Sequence, residues 1–220
     1  LNDAVDRKSS NSFKLYKALK NDEVETDKDA MKLLFGSEDG AANYRMFKYR
    51  FKQKLTNTLF FIELRKDRQA KRRIYLKCLK NLYCIRLLLV FGARNSAMTF
   101  TSTLYKDAIK YELTELALQA AIIQRNHAAN SGKLKKLDVA IREVERLQKL
   151  LNAETIADNE FQRTYAEFIN TEAVAPDKAP EIKRKIAKIQ ELKLAHQSFN
   201  IDTVYHNISV VFAESQLEYK

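Results

Sequence analysis

Apolar residues recur at spacings of three and four along much of the chain, which places them on one side of an α-helix. The clearest case is the helix predicted for residues 42–62. Its apolar stripe consists of Tyr44, Phe47, Phe51, Leu55, Leu59 and Ile62. Only four Gly and two Pro occur in 220 residues, and both residue types break helices. The pattern therefore predicts an all-α protein.

Residues 1–64 are predicted to form an N-terminal module of three helices. Thr26 followed by Asp29 is typical of a helix start, because the hydroxyl caps free amides and the acid lies near the positive end of the helix dipole. Gly36 is a natural residue just after a helix end. A short helix, a capped helix, a turn and a longer basic helix also have the layout of a helix-turn-helix module.

Residues 65–220 are predicted to form stacked antiparallel helix pairs, an irregular α-solenoid. The segment 74–91 is apolar around most of its circumference, which is typical of a helix packed on several sides, so we expect it at the centre of the fold. Ser96 is a predicted N-cap, and a linker is predicted near residues 173–180. The expected core includes Phe47, Phe51, Leu55, Leu79, Leu82, Leu89 and Leu118.

The net charge of +11 is concentrated in one segment, residues 45–80. This segment holds 13 Lys and Arg against Glu63 and Asp67, whereas basic and acidic residues cancel in the rest of the chain. A concentrated positive field attracts nucleic acid or an acidic protein surface. The candidate binding residues are Arg45, Lys48, Tyr49, Lys52, Lys66, Arg68, Lys71, Arg72 and Arg73.

Two interpretations of this basic segment stay open. In the first, the residues on the third helix read bases in a major groove, and those from Lys66 to Arg73 contact phosphates. In the second, the basic residues are the solvated edges of ordinary amphipathic helices.

The sequence offers no catalytic constellation. His127, His196 and His206 are scattered, without the spacing that places two metal ligands on one helical face. Gly36 and Gly40 lack the Lys-Ser/Thr that follows in a phosphate-binding loop. We therefore predict a protein without catalytic activity, metal or cofactor.

The cysteines and the polarity of the chain predict a cytoplasmic protein. Cys78 and Cys84 lie six positions apart on one predicted helix, about 9 Å along its axis, which is too far for a disulfide. Residues 1–12 are polar and charged, unlike a secretory signal. The most apolar run, residues 87–91, is too short to span a bilayer.

Three runs of residues carry a family resemblance: T-D-K-D-A-M-K-L-L-F-G, Y-R-M-F-K-Y-R-F-K-Q-K-L-T-N-T-L-F-F-I-E-L and K-Y-E-L-T-E-L-A-L-Q-A-A. They resemble the opening half of bacterial tetratricopeptide-like helical-repeat proteins of uncharacterised function, in which a small basic helical module precedes an array of helix pairs. The resemblance spans residues 13–170. It implies a helical-repeat scaffold with no known active site.

Two functional hypotheses follow. The leading one is a non-catalytic helical scaffold that mediates protein–protein interaction, with self-association through its terminal helices. The alternative is a DNA- or RNA-binding regulatory protein that uses the basic segment 45–80.

Overall fold

The computed structural model describes residues 10–36, 41–60, 70–171 and 179–217. These ranges contain nine helices and no strand, which confirms the predicted all-α fold. The helices are α1 (Asn11–Lys20), α2 (Asp27–Phe35), α3 (Ala41–Leu59), α4 (Ala70–Val90), α5 (Arg94–Lys110), α6 (Thr114–Asn130), α7 (Leu134–Thr171), α8 (Ala179–Ala195) and α9 (Phe199–Leu217). They belong to two compact units: unit 1, Leu1–Leu64, and unit 2, Arg65–Lys220.

Unit 1 has a small core to which α1, α2 and α3 each contribute. Its buried members are Leu15, Ala30, Tyr44 and Phe51. Helix α2 is fixed at both ends by its own sequence. The Thr26 side chain and the Asp29 side chain each accept a hydrogen bond from the other residue's backbone amide, and Gly36 ends the helix with a φ of 74°. Both predicted boundaries of this helix are confirmed.

Three turns of the same geometry connect helices α4 to α7 in unit 2. The left-handed residues are Gly92, Glu112 and Gly132, with φ of 75°, 51° and 63°. After each, the next amide donates to a carbonyl five residues back: Ala93 to Leu88, Leu113 to Ala108, and Lys133 to Ala128. This bond satisfies carbonyls that the helix end would leave free. Because positions 92, 112 and 132 are 20 residues apart, α5 and α6 have the same length of 17 residues, and they pack side by side.

Unit 2 has two hydrophobic cores, and helix α7 contributes to both. Core 1 joins α4, α5 and α6 to the first half of α7, where Leu147 is buried. Core 2 joins the second half of α7, including Ala157, to Ile189 of α8 and to Ile201 and Ile208 of α9. With 38 residues, α7 is long enough to serve both cores.

The prediction that segment 74–91 lies at the centre of the fold is wrong. Helix α6 is the most thoroughly buried helix, and it packs against α4, α5 and α7. Helix α4 buries one side in core 1, whereas Val90 at its end and Phe91 directly after it are each 79% exposed. Small side chains explain the difference, because the buried Ala117, Ala120 and Ala121 allow neighbouring helices to approach α6 closely.

Several local predictions also need correction. Leu55, Leu79 and Leu89 are exposed and do not belong to the core. The spacing of apolar residues places them on one side of a helix, but it does not show which of them a neighbouring helix covers. Helix α5 begins at Arg94 without a side-chain cap, so the predicted N-cap at Ser96 is wrong. Residues 173–178 of the predicted linker lie outside the described residues, and its last two residues belong to α8, which begins at Ala179.

None of the helices in the described ranges has both the length and the apolar character needed to cross a bilayer.

We predict that Leu82→Ala lowers the free energy of unfolding by about 2–5 kcal/mol, because it leaves a cavity in core 1. Leu82 is 8% exposed, whereas Leu79, one turn earlier on α4, is 37% exposed. The matched variant Leu79→Ala is expected to cost less than about 1 kcal/mol. Urea denaturation followed by circular dichroism measures both, and equal costs would contradict the assignment of the buried side of α4.

Candidate functional site

The predicted binding residues of unit 1 lie on α3, and one of them, Lys48, connects two helices of the unit. Lys48 Nζ lies 2.5 Å and 2.6 Å from the two carboxylate oxygens of Asp27 on α2. Tyr44 donates its hydroxyl proton to the same carboxylate at 2.9 Å. The bond from Lys48, followed by that from Tyr44, holds the pKa of Asp27 below its ordinary value. Lys48 therefore fastens α3 to α2.

The other three predicted residues of α3 share one side of the helix. Arg45, Tyr49 and Lys52 follow each other at spacings of four and three, which aligns them on one face, and all three are exposed. Tyr49 is 61% exposed, and its hydroxyl accepts a bond of 2.9 Å from the Gln53 amide. This face could contact a ligand.

The remaining predicted residues belong to unit 2 or lie outside the described residues. Lys71, near the start of α4, donates from Nζ to Asn200 Oδ1 of α9 at 3.0 Å. Its ammonium also lies 5.1 Å from the centre of the Phe199 ring. Lys71 thus ties α4 to α9, while Arg72 and Arg73 beside it are exposed. Lys66 and Arg68 fall in the segment 61–69, outside the described residues.

A cleft of about 610 Å³ between α5, α6 and α7 was not predicted from the sequence. It is lined by Tyr105, Gln124, His127, Ala128, Ser131, Lys133, Lys136, Val139, Ala140, Arg142, Glu143 and Arg146. The turn at Gly132 folds α7 back against α6, and this brings the basic residues of early α7 opposite the polar residues of late α6. A smaller cavity of about 170 Å³, lined by Arg94 among others, shares His127 and Ser131 with the cleft.

The wall of the cleft contains a hydrogen-bonded group of three side chains. The Tyr105 hydroxyl donates to Glu143 Oε1 at 2.5 Å. Arg146 donates to both oxygens of Glu143, from Nη2 at 2.7 Å and from Nε at 2.9 Å. Such two-point pairing of guanidinium and carboxylate is among the stronger charge-assisted contacts in proteins. The group connects α5 to α7.

The pKa values of this group all shift away from neutrality. The bond from Arg146, with a smaller contribution from Tyr105, lowers the pKa of Glu143. Burial, with help from Glu143, raises the pKa of Tyr105 to about 12. The pKa of Arg146 is raised, chiefly by its bond to Glu143. A general acid or base works best with a pKa near the operating pH, so this arrangement holds fixed charges and is unsuited to moving protons at pH 7.

A second polar cluster lies at the middle of α7, around Glu154. Its Oε1 accepts hydrogen bonds from Thr114 Oγ1 at 2.9 Å, Ser198 Oγ at 2.7 Å and Asn200 Nδ2 at 3.0 Å. Thr114 and Ser198 are only 6% and 7% exposed. Through Asn200 the cluster also includes Lys71. Because its donors face inward and are satisfied within the protein, we assign it a structural role.

No protein-family model matches the chain, and neither a curated protein nor a solved structure matches it. Within the described ranges, no group of three His, Cys, Asp or Glu side chains is placed to hold a metal ion. The resemblance to tetratricopeptide-like proteins stays a prediction.

We predict that Lys71→Ala lowers the free energy of unfolding by about 1–2 kcal/mol, because the variant loses a charged hydrogen bond and a cation–π contact. Arg73→Ala, two residues away on an exposed position, should change it by less than about 0.5 kcal/mol. Chemical denaturation compares the two variants. If Lys71→Ala is as stable as the wild type, Lys71 does not hold α9 against α4.

The pKa of Glu143 predicts a specific dependence of stability on acid. Since its folded-state pKa is lowered, its contribution is complete above the unfolded pKa of about 4.3 and is lost as the pH falls through the folded-state pKa. We expect Glu143→Gln to be less stable than the wild type at pH 7 and to lose less stability between pH 7 and pH 3. Unfolding free energies at several pH values measure this. Glu145→Gln, an exposed neighbour on α7, is the control and should retain the acid sensitivity of the wild type.

Proposed function

We propose that this protein is a non-catalytic cytoplasmic scaffold that binds a protein partner in the cleft between α5, α6 and α7. The fixed positive charge of this cleft supports the proposal most directly. Four cationic side chains, Lys133, Lys136, Arg142 and Arg146, line it together with one carboxylate, Glu143. That carboxylate is already paired with Arg146, so the remaining charge of the lining is positive.

The construction of unit 2 also favours a binding role. Stacked helices present elongated surfaces whose shape is set by helix packing, and helical-array proteins use such surfaces to hold other chains. The walls of the cleft are helices, and the walls are braced by the Tyr105–Glu143 bond. A surface of this kind loses little conformational entropy when a partner binds.

The alternative function is DNA or RNA binding through segment 45–80. The alignment of Arg45, Tyr49 and Lys52 on one exposed face of α3 favours it. The internal contacts of Lys48 and Lys71 count against it. Lys48 is paired with Asp27 and Lys71 donates to Asn200, so both ammonium groups are less available to bind a phosphate.

We predict that charge reversal in the cleft abolishes partner capture. The tagged variant Lys136→Glu/Arg142→Glu should recover markedly less of a specific protein from a nuclease-treated bacterial lysate than the wild type does. Lys135→Glu/Lys149→Glu is the matched control, because it makes the same charge change on exposed positions of α7 outside the cleft. Recovery of the same protein by all three forms would contradict the proposal, and so would recovery of nucleic acid with no protein partner.

The nucleic-acid alternative makes its own quantitative prediction. With about five phosphate contacts, the logarithm of the binding constant for duplex DNA should fall against the logarithm of salt concentration with a slope near −4 to −5. Arg72→Ala/Arg73→Ala should make that slope shallower by up to about two units. Fluorescence anisotropy at low salt measures the slope. Absence of binding with a dissociation constant below about 10 µM, a value within the range of ordinary non-specific contact, would reject this alternative.

A further inference from the structure

We propose that the cleft between α5, α6 and α7 recognises an extended peptide segment rich in Asp and Glu. This inference rests on the proposed function and specifies the chemistry of the partner. Three observations support it: the charge of the cleft, the length over which its cations are distributed, and the chemistry of its walls.

The charge of the cleft is complementary to carboxylates. Lys133, Lys136 and Arg142 are exposed lysine and arginine side chains, and they line the cleft. Glu143 would repel an incoming carboxylate, but Arg146 neutralises it through two hydrogen bonds. Complementary charges of this kind guide encounter and suppress unsuitable partners.

The distribution of the cations fits an extended chain. From Lys133 to Arg142, the cations that no carboxylate of the cleft neutralises, the chain advances nine residues, which is about 14 Å at 1.5 Å per residue. An extended peptide covers the same length with about four residues at 3.3 Å each. A short acidic segment that lies along α7 can therefore contact both Lys133 and Arg142.

The remaining wall residues suit a peptide better than a nucleic acid. The Gln124 amide can pair with backbone groups, and Val139 and Ala140 can contact the methylene groups of acidic side chains. The Ser131 hydroxyl donates to the His127 carbonyl at 2.7 Å, and its oxygen can accept from a peptide amide. Single-stranded nucleic acid needs exposed aromatic faces on which its bases can stack. Tyr105 is the one Phe, Tyr or Trp side chain among the described lining residues, and its half-buried ring is fixed by the bond to Glu143. The His127 imidazole is the other aromatic ring of the lining, and it is partly buried as well.

The test is an anisotropy titration of the full chain with fluorescein-labelled hexaglutamate, with hexaglutamine as the uncharged peptide of equal length. We expect hexaglutamate to bind saturably and at least about tenfold more tightly than hexaglutamine. Lys136→Glu/Arg142→Glu should weaken hexaglutamate binding by about tenfold or more, whereas Lys135→Glu/Lys149→Glu should change it by less than about threefold. Circular dichroism of both variants checks that these exposed substitutions leave the helices intact.

Three outcomes would overturn the inference: equal binding of the two peptides, equal weakening by the two double variants, or tighter binding of a labelled oligothymidylate that competes with hexaglutamate. The lysate-capture experiment distinguishes failure of the acidic-peptide inference from failure of the proposed scaffold function. If capture depends on the cleft while hexaglutamate does not bind, the scaffold function stands and the acidic chemistry of the partner is wrong. If capture is independent of the cleft, the proposed function fails as well.

Discussion

Unit 2 depends on one constraint, which is that a single long helix serves two hydrophobic cores. Helix α7 places Leu147 in core 1 and Ala157 in core 2, and Glu154 lies between them. Its carboxylate oxygen collects hydrogen bonds from the start of α6 and from residues at the start of α9. Unsatisfied polar groups in such a position are costly. The polar contacts therefore fix where the second core sits relative to the first.

The cleft follows from the same arrangement. Its cations lie on the first half of α7, which Val144, Leu147 and Leu151 hold in core 1. The bonds of Glu143 to Tyr105 and Arg146 then connect this half of α7 to α5. The charges are consequently presented by a rigid surface. The lowered pKa of Glu143 and the raised pKa of Arg146 keep these two side chains charged around neutral pH, so that their ion pair stays intact. We regard this preorganisation as the physical basis of the proposed binding role.

Much of the fold could be predicted from local sequence, but the cleft could not. The scarcity of Gly and Pro indicated helices. Thr26 with Asp29 indicated the start of α2, and Gly36 indicated its end. The regular spacing of the turns was missed because the middle left-handed position is Glu112, which carries no sequence signal for such a turn. The cleft was not predicted because basic and acidic residues are mixed along the sequence of α7. Only the packing of α5, α6 and α7 shows which of these basic residues line a common cleft. Lys71 was interpreted as a binding residue because its partner, Asn200, lies 129 positions away.

The central claim, that Glu154 couples the two cores, is tested most directly by native-state hydrogen exchange on Glu154→Leu. The variant keeps a side chain of similar size and leaves the hydroxyls of Thr114 and Ser198 without their acceptor, while the Asn200 amide keeps only its bond to the Glu112 carbonyl. We predict that the amides of α9 lose about 1–3 kcal/mol of protection, while those of α1 to α3 in unit 1 exchange as in the wild type. If α9 keeps the protection of the wild type, the Glu154 cluster does not hold the second core in place, and the two cores of unit 2 are not coupled through it.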